Sequence, residues 1–297
     1  MQSAGTLREW SDECYFSVDY SVDEEQNTVS RKIRRFDGEV IETVVGLSTL
    51  PSASPLEAFD IGFLLSKEKP PKSSHNRGTL RVCDLFSGCG GISVGVEEAA
   101  RSLGFDTEFV LGWDIMEEAR LAFDENFSPR LLRGDPLEEV IDGELGAPLT
   151  PSEAEFIELL GDVDMVVGGP PCQGHSDLNN HSRRDDPKND LYLRMTRFIE
   201  ITRPRFAIIE NVLTVRRSKG MVTQITDEFL RGLGYNIQQD RFKAIDLGVA
   251  QDRRRHFTIA IRDADVPPGI FDAKRVEESR PVLWPLRDLG ETDPNST

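Results

Sequence analysis

Cysteine is scarce in this chain: four residues in 297, Cys14, Cys83, Cys89 and Cys172, with no CxxC pair among them. So few thiols exclude a disulfide-built scaffold, give no zinc-ligand spacing and point to a reducing compartment with no bound metal. Long apolar runs are missing too: none approaches the ~18 residues that a bilayer-spanning helix requires. The first 30 residues lack the basic start and apolar stretch of a secretory signal. We therefore expect no membrane partner and a reducing, cytoplasmic setting. Glycine (24) and proline (17) show no low-complexity enrichment, and 38% hydrophobic with 29% charged residues is an ordinary globular composition. Basic charge is in deficit, with a net charge of −17. That argues against nonspecific phosphate binding by the whole surface. The deficit is local, however. Residues 80–160 carry 5 basic against 18 acidic groups, whereas residues 161–297 carry 21 of each, with clusters at Arg183-Arg184, Arg216-Arg217 and Arg253-Arg254-Arg255.

The chain divides by pattern. Residues 1–66 hold alternating runs, and Asp37-Gly38 between two of them is a hairpin signal, so a small N-terminal β-rich appendage is expected. Residues 67–79 are polar, with proline and serine, and read as a linker. From 80 to 265, short apolar runs alternate with amphipathic stretches, the pattern of an α/β domain with a doubly wound, mostly parallel sheet. Such sheets bind ligands beyond the carboxyl ends of their strands, so functional residues should follow the strands.

Asp84-Leu-Phe86-Ser-Gly88-Cys-Gly90-Gly91 follows the first of these strands and leads into a helix. Glycines there admit backbone N–H groups close to a ligand, and the helix N-terminus favours its anionic end. A dehydrogenase GxGxxG is not met, because Ser93 stands in the third glycine's place. Asp114 ends the second strand, where a carboxylate can accept both ribose hydroxyls, and Asp135 ends a third. Each acid alone is more often a surface residue or helix cap. Acids at three successive strand ends favour an adenosyl ligand.

Gly168-Gly-Pro170-Pro171-Cys172-Gln173-Gly174 follows a buried strand, and its two prolines hold the thiol in a defined place. Facing a cleft, Cys172 is a nucleophile; turned inward, it is an inert core thiol. Glu210-Asn211-Val212 closes the next strand, and Gln251-Asp252-Arg253-Arg254-Arg255 comes later. Together these residues suit methylation of cytosine at C5. A thiolate adding to C6 makes C5 nucleophilic, which gives Cys172 its role. A carboxylic acid at N3 receives the displaced charge, which suits Glu210. Arg255, with Arg253, supplies positive charge for the base carbonyl and the thiolate.

With these motifs the chain resembles the cytosine-C5 DNA methyltransferases: DLFSGCGG, Asp114, Gly134-Asp135, GGPPCQG, ENV and QDRRR stand in the family's order over residues 80–262. The resemblance implies a Rossmann-like class I methyltransferase domain and S-adenosylmethionine as methyl donor. It also implies double-stranded DNA as partner, with the target base flipped out. Donor contacts would come from Asp84, Phe86, Gly88, Gly90, Gly91, Asp114, Ile115, Asp135 and Pro170. Substrate contacts would come from Gln173, Asn211, Arg183, Arg184 and Gln251, with the loop from Gln173 to Asp190 closing over DNA. Catalysis falls to Cys172, Glu210, Arg253 and Arg255.

The sequence departs from the family in three respects. His175 stands where phenylalanine is usual, and Ala250 where proline is usual. Residues 266–297 show neither a target-recognition domain nor the late arginine-containing and GN-type motifs. A second protein chain supplying those parts, a truncated chain, or a noncatalytic relative would each account for this, and the first is expected. Two further readings stand beside the enzyme: a regulatory scaffold for a complete methyltransferase, and an RNA cytosine-C5 methyltransferase. A nicotinamide dehydrogenase leaves PPCQ and ENV without a role.

Overall fold

The computed structural model describes residues 16–35, 38–47, 54–64, 77–171, 188–217, 221–266 and 271. They fall into two compact units, Met1–Arg81 with Gly91–Glu108, and Val82–Gly90 with Phe109–Thr297.

In the first unit, β1 (Phe16–Asp23), β2 (Thr28–Arg35) and β3 (Val40–Gly46) form an antiparallel three-stranded sheet. The β2–β3 register closes with Arg34 opposite Val40, around Gly38 at φ 85°. The positive φ is why glycine serves in this turn. Alternation sends Val29, Ile33, Ile41 and Val45 inward. A helix that the alternating pattern did not announce, α1 (Pro55–Leu64), places Ala58 and Phe59 against Val29, Val45 and Leu47. Arg31 shares that buried face. Its guanidinium lies 4.8 Å from the Phe59 ring centre, pairs with Glu98 and donates to Ser102 at 2.7 Å. Glu98 and Ser102 belong to α2 (Gly91–Ser102), so this unit is tied together by charge as well as by apolar packing.

The larger sheet has the order β6-β5-β4-β7-β8-β10-β9. Its strands are β4 (Thr79–Leu85), β5 (Asp106–Trp113), β6 (Leu131–Arg133), β7 (Met165–Gly168), β8 (Phe206–Asn211), β9 (Tyr235–Lys243) and β10 (Arg254–Arg262). Pairs β5–β6, β4–β7 and β7–β8 are parallel, whereas β10 runs antiparallel to both β8 and β9. The mostly parallel, Rossmann-like architecture is thus as expected. The second unit's core joins strand residues Leu85, Leu111, Val166 and Ile209 to Phe198 and Leu230 of α5 (Lys188–Thr202) and α6 (Val222–Gly232), all fully buried.

A charged pair is buried within that unit's interior. Thr150 caps α4 (Pro151–Leu160) in a reciprocal capping box with Glu153. The same carboxylate accepts from Arg197 Nε at 2.9 Å and Nη2 at 2.7 Å, and from the Gly143 N–H at 3.0 Å. Arg197 and Glu153 are 1% and 0% exposed. Burial alone would raise the Glu153 carboxyl, but Arg197 and the backbone donors outweigh it and hold the group below its ordinary value.

Candidate functional site

A cavity of about 590 Å³ opens where β4, β5, β6 and β7 end. Its wall takes Phe86 after β4, Trp113 and Asp114 at the end of β5, Asp135 and Leu137 after β6, and Gly169 and Pro171 after β7. Strands ending side by side leave their following residues to form a common edge, which is why one cavity collects four separate motifs.

The turn after β4 is tightly specified. Phe86 has φ 58°, a left-handed conformation that costs a non-glycine residue about 1–2 kcal/mol. Gly90 has φ 91°, and a Cβ there would lie 2.1 Å from the Phe127 ring of α3 (Glu117–Phe127). Gly88 gives its N–H to Asp114 Oδ2 at 2.9 Å, and Met116 gives its N–H to Oδ1, also at 2.9 Å. The Asp114 carboxylate is therefore fixed at the cavity wall. Asp135 is held by Arg133 Nε at 2.8 Å, and that hydrogen bond keeps its carboxyl below the usual range. Arg133 in turn lies 5.3 Å from the Trp113 ring centre, and Trp113 Nε1 donates to the Asp135 carbonyl at 2.8 Å. Ile115, 69% exposed, stands at the mouth. Among the described residues, the buried Ser87 hydroxyl has no hydrogen-bond partner. It sits within the same turn, and the sequence reading passed over it. A fixed carboxylate and apolar walls fit a nucleoside.

The second cluster lies along β8 and β10. Glu210 is opposite Phe257, two residues from Arg255 on the same face of β10, and Arg255 Nε contacts Glu210 Oε1 at 2.7 Å. Burial pushes the Glu210 carboxyl above its ordinary value, although Arg255 and then Arg253 pull it down. A Cβ on Gly169 would lie 2.9 Å from Glu210 Oε2, so the carboxyl borders a residue of the cavity wall. A carboxyl raised above its ordinary value beside a fixed cation is a candidate proton donor to a bound heterocycle.

Asp84 is 1% exposed within β4 and is not among the cavity-lining residues, so two of the three acids line the cavity. Gly88 and Gly90 shape the turn, and Gly91 opens α2. Pro170 is buried rather than lining, and Asn211 donates from Nδ2 to its carbonyl at 3.0 Å. The Asn211 Oδ1 accepts the Val212 N–H at 2.8 Å, so this amide holds the Pro170-Pro171 turn. Gln251 and Arg253 are exposed ahead of β10. Because β10 is antiparallel, its functional residues lie at or just before its start rather than after its end. Cys172, Gln173, Arg183 and Arg184 lie outside the described residues. Among the described residues there is no metal-holding group of histidine, cysteine and acid side chains, and no helix long and apolar enough to cross a membrane.

Residues 80–293 match the family model for C-5 cytosine-specific DNA methylase. Type II methyltransferase M1.BsuMI of Bacillus subtilis is 37% identical over 89% of this chain, which spans 62% of that protein. Mouse DNA (cytosine-5)-methyltransferase 1 is 32% identical over 69% of the chain and 12% of its own length. A structure described as a DNA modification methyltransferase encoded within an E. coli prophage superposes with TM-score 0.51 at 28% identity, over 68% of this chain and 52% of that one. The S. pombe Dnmt2 methyltransferase shares the fold, with TM-score 0.50 at 21% identity over 67% and 57% of the two chains. The match to the family model covers well over half of the residues and includes both clusters. The chain belongs to the C-5 cytosine-specific DNA methylase family.

Proposed function

We propose that this chain is the catalytic part of a DNA cytosine-C5 methyltransferase. The observation that carries the reading is the Glu210–Arg255 pair beside Gly169, an acid raised by burial at the border of a nucleoside-sized cavity. S-adenosylmethionine suits that cavity, with Asp114 at its ribose, Asp135 and Ile115 near its adenine, and the turn from Phe86 to Gly90 at its polar end. When bound, it supplies an electrophilic methyl group for C5 of the target base.

Cys172 adds as thiolate to C6 of a flipped cytosine, and Glu210 gives its proton to N3, so the added electron pair rests at C5. Arg255 keeps Glu210 in place and offers positive charge to the base carbonyl. Loss of the C5 proton after methylation expels the thiolate, and N3 returns its proton to Glu210, which restores the ring. Asn211 positions this chemistry by holding the turn that leads into Cys172. Sequence-specific reading of DNA falls to a target-recognition region beyond these residues or on a partner chain. The names of M1.BsuMI and M.DdeI as Type II methyltransferases support a restriction–modification setting.

The test is transfer of labelled methyl groups from S-adenosylmethionine to mixed-sequence duplex DNA, with Cys172→Ala as control. Transfer that the substitution abolishes is the expected result. A folded chain that transfers nothing, alone or with the product of a neighbouring gene, overturns the reading in favour of a noncatalytic scaffold. Transfer to RNA alone overturns the choice of substrate.

A further inference from the structure

Lys243, Arg254 and Arg241, at the β9–β10 rim, have no part in the site described above. We propose that Lys243 and Arg254, with Arg241 beside them, clamp the DNA phosphates that flank the target base, and that Asp252 is a built-in competitor for the same cations. The inference rests on the proposed methyltransferase reading, from which it takes DNA as the ligand.

Arg254 is the first residue of β10 and Lys243 the last of β9, and the two are directly opposite in the ladder. Like charges in that position repel unless a counter-charge lies between them. Asp252 supplies it, with Oδ1 3.5 Å from Lys243 Nζ and 3.9 Å from Arg254 Nε. One carboxylate for two cations leaves an excess positive charge. Arg241, two residues back along the same face of β9, is exposed and adds another. Arg254 stands on the opposite face of the ribbon from Arg255, so it is not drawn into the Glu210 pair.

The position suits a nucleic-acid backbone. His256 pairs with Asn211, the last residue of β8. Arg254 therefore stands two residues further out and one strand across, about 8 Å from the end of β8 by ordinary strand spacings. In a chain of net charge −17, this puts a concentrated basic rim beside the one edge where DNA is required. Phosphate oxygens offer both cations the same contacts as the Asp252 carboxylate, with more charge along the strand. Side chains of Arg254 and Asp252 are each 58% exposed, so the exchange needs no unfolding.

The experiment is fluorescence anisotropy of a labelled 30-bp duplex with the full chain across a salt series, with labelled methyl transfer measured on the same samples. Arg254→Gln and Lys243→Gln should each weaken binding and flatten the plot of log affinity against log salt by about 0.9. Asp252→Asn should act in the opposite direction, tightening binding about 2- to 5-fold, the worth of an exposed ion pair. Arg262→Gln, at the far end of β10 and about 26 Å away at ordinary strand rise, should change neither. Melting curves establish that each variant is folded. An unchanged slope in the Lys243 and Arg254 variants, an Asp252→Asn that fails to tighten, or a wild type that does not bind duplex overturns the clamp. So does variant-sensitive binding of polyglutamate in place of duplex, which would assign the rim to an acidic protein. Transfer that persists while these effects are missing overturns the clamp alone. Variant-sensitive duplex binding with no transfer, alone or with the product of a neighbouring gene, overturns the enzyme reading and leaves the clamp.

Discussion

Gly168 and Gly169 are neighbours, yet adding one methyl group to each should damage different properties. A Cβ on Gly168 would lie 2.3 Å from the Leu85 carbonyl oxygen, and Leu85 is its ladder partner in the β4–β7 pair. Backbone cannot move aside without parting two central strands, so Gly168→Ala should cost about 1–3 kcal/mol, the usual penalty of overpacking. At about 2–4 °C per kcal/mol for a protein of this size, the melting temperature should fall by about 2–12 °C. A Cβ on Gly169 meets instead the free end of a side chain, Glu210 Oε2 at 2.9 Å. That carboxylate can retreat by a few tenths of an ångström, so Gly169→Ala should leave stability within about 1 kcal/mol. The retreat displaces the acid from its 2.7 Å contact with Arg255. Since a displacement of 1 Å can cost about 10²-fold in rate, a drop of about tenfold in methyl transfer is expected. Circular-dichroism melts and initial rates on both variants are the assay. A Gly169→Ala protein that melts early and transfers at full rate would refute the assignment of that contact.

Arg197→Met leaves the Glu153 carboxylate buried and unpaired and should cost about 3–5 kcal/mol in urea unfolding, most of it restored by adding Glu153→Gln. Because the folded pKa of Glu153 is depressed, its stabilisation is present above the ordinary carboxylate value and is lost as pH falls through the folded value; Glu153→Gln should abolish that acid-side loss. Glu210→Gln should reduce methyl transfer by about 10²- to 10⁴-fold while the chain stays folded. The folded pKa of Glu210 is raised, so its stabilisation is present at low pH and is lost as pH rises through that value; melting curves across pH should show this slope vanish in the glutamine variant. Asp114→Ala releases the Gly88 and Met116 N–H groups and removes a ribose acceptor, and calorimetry should show S-adenosylmethionine affinity about 10- to 100-fold weaker.

Local signals carried the reading as far as they physically reach. Alternation and the Asp37-Gly38 turn announced the N-terminal hairpin, because strand period and a positive-φ glycine are written within a few neighbouring residues. Helix α1 carries Ala58 and Phe59 to the sheet on one turn, too brief an apolar stripe to stand out beside the alternating runs. Glu210 and Arg255 were each named from their motifs, but their pairing depends on β10 lying antiparallel beside β8, a long-range choice that neither segment encodes. The Arg197–Glu153 pair was hidden for a different reason. Charged residues on amphipathic helices read as solvent-facing, and only the packed core shows that these two point inward.

The reversal of β10 also determines where the chain goes next. Four of the motif turns leave their strands at the ligand edge, whereas the backbone emerges from β10 at Arg262, next to Arg205 and the start of β8. A tether, fluorophore or fused domain joined just after Arg262 thus begins at the quiet end of the sheet, five residues along β10 from Phe257, which pairs with Glu210. The same polarity means that a segment following Arg262 reaches the DNA edge only by climbing back along the sheet, so added length there changes reach before it changes chemistry.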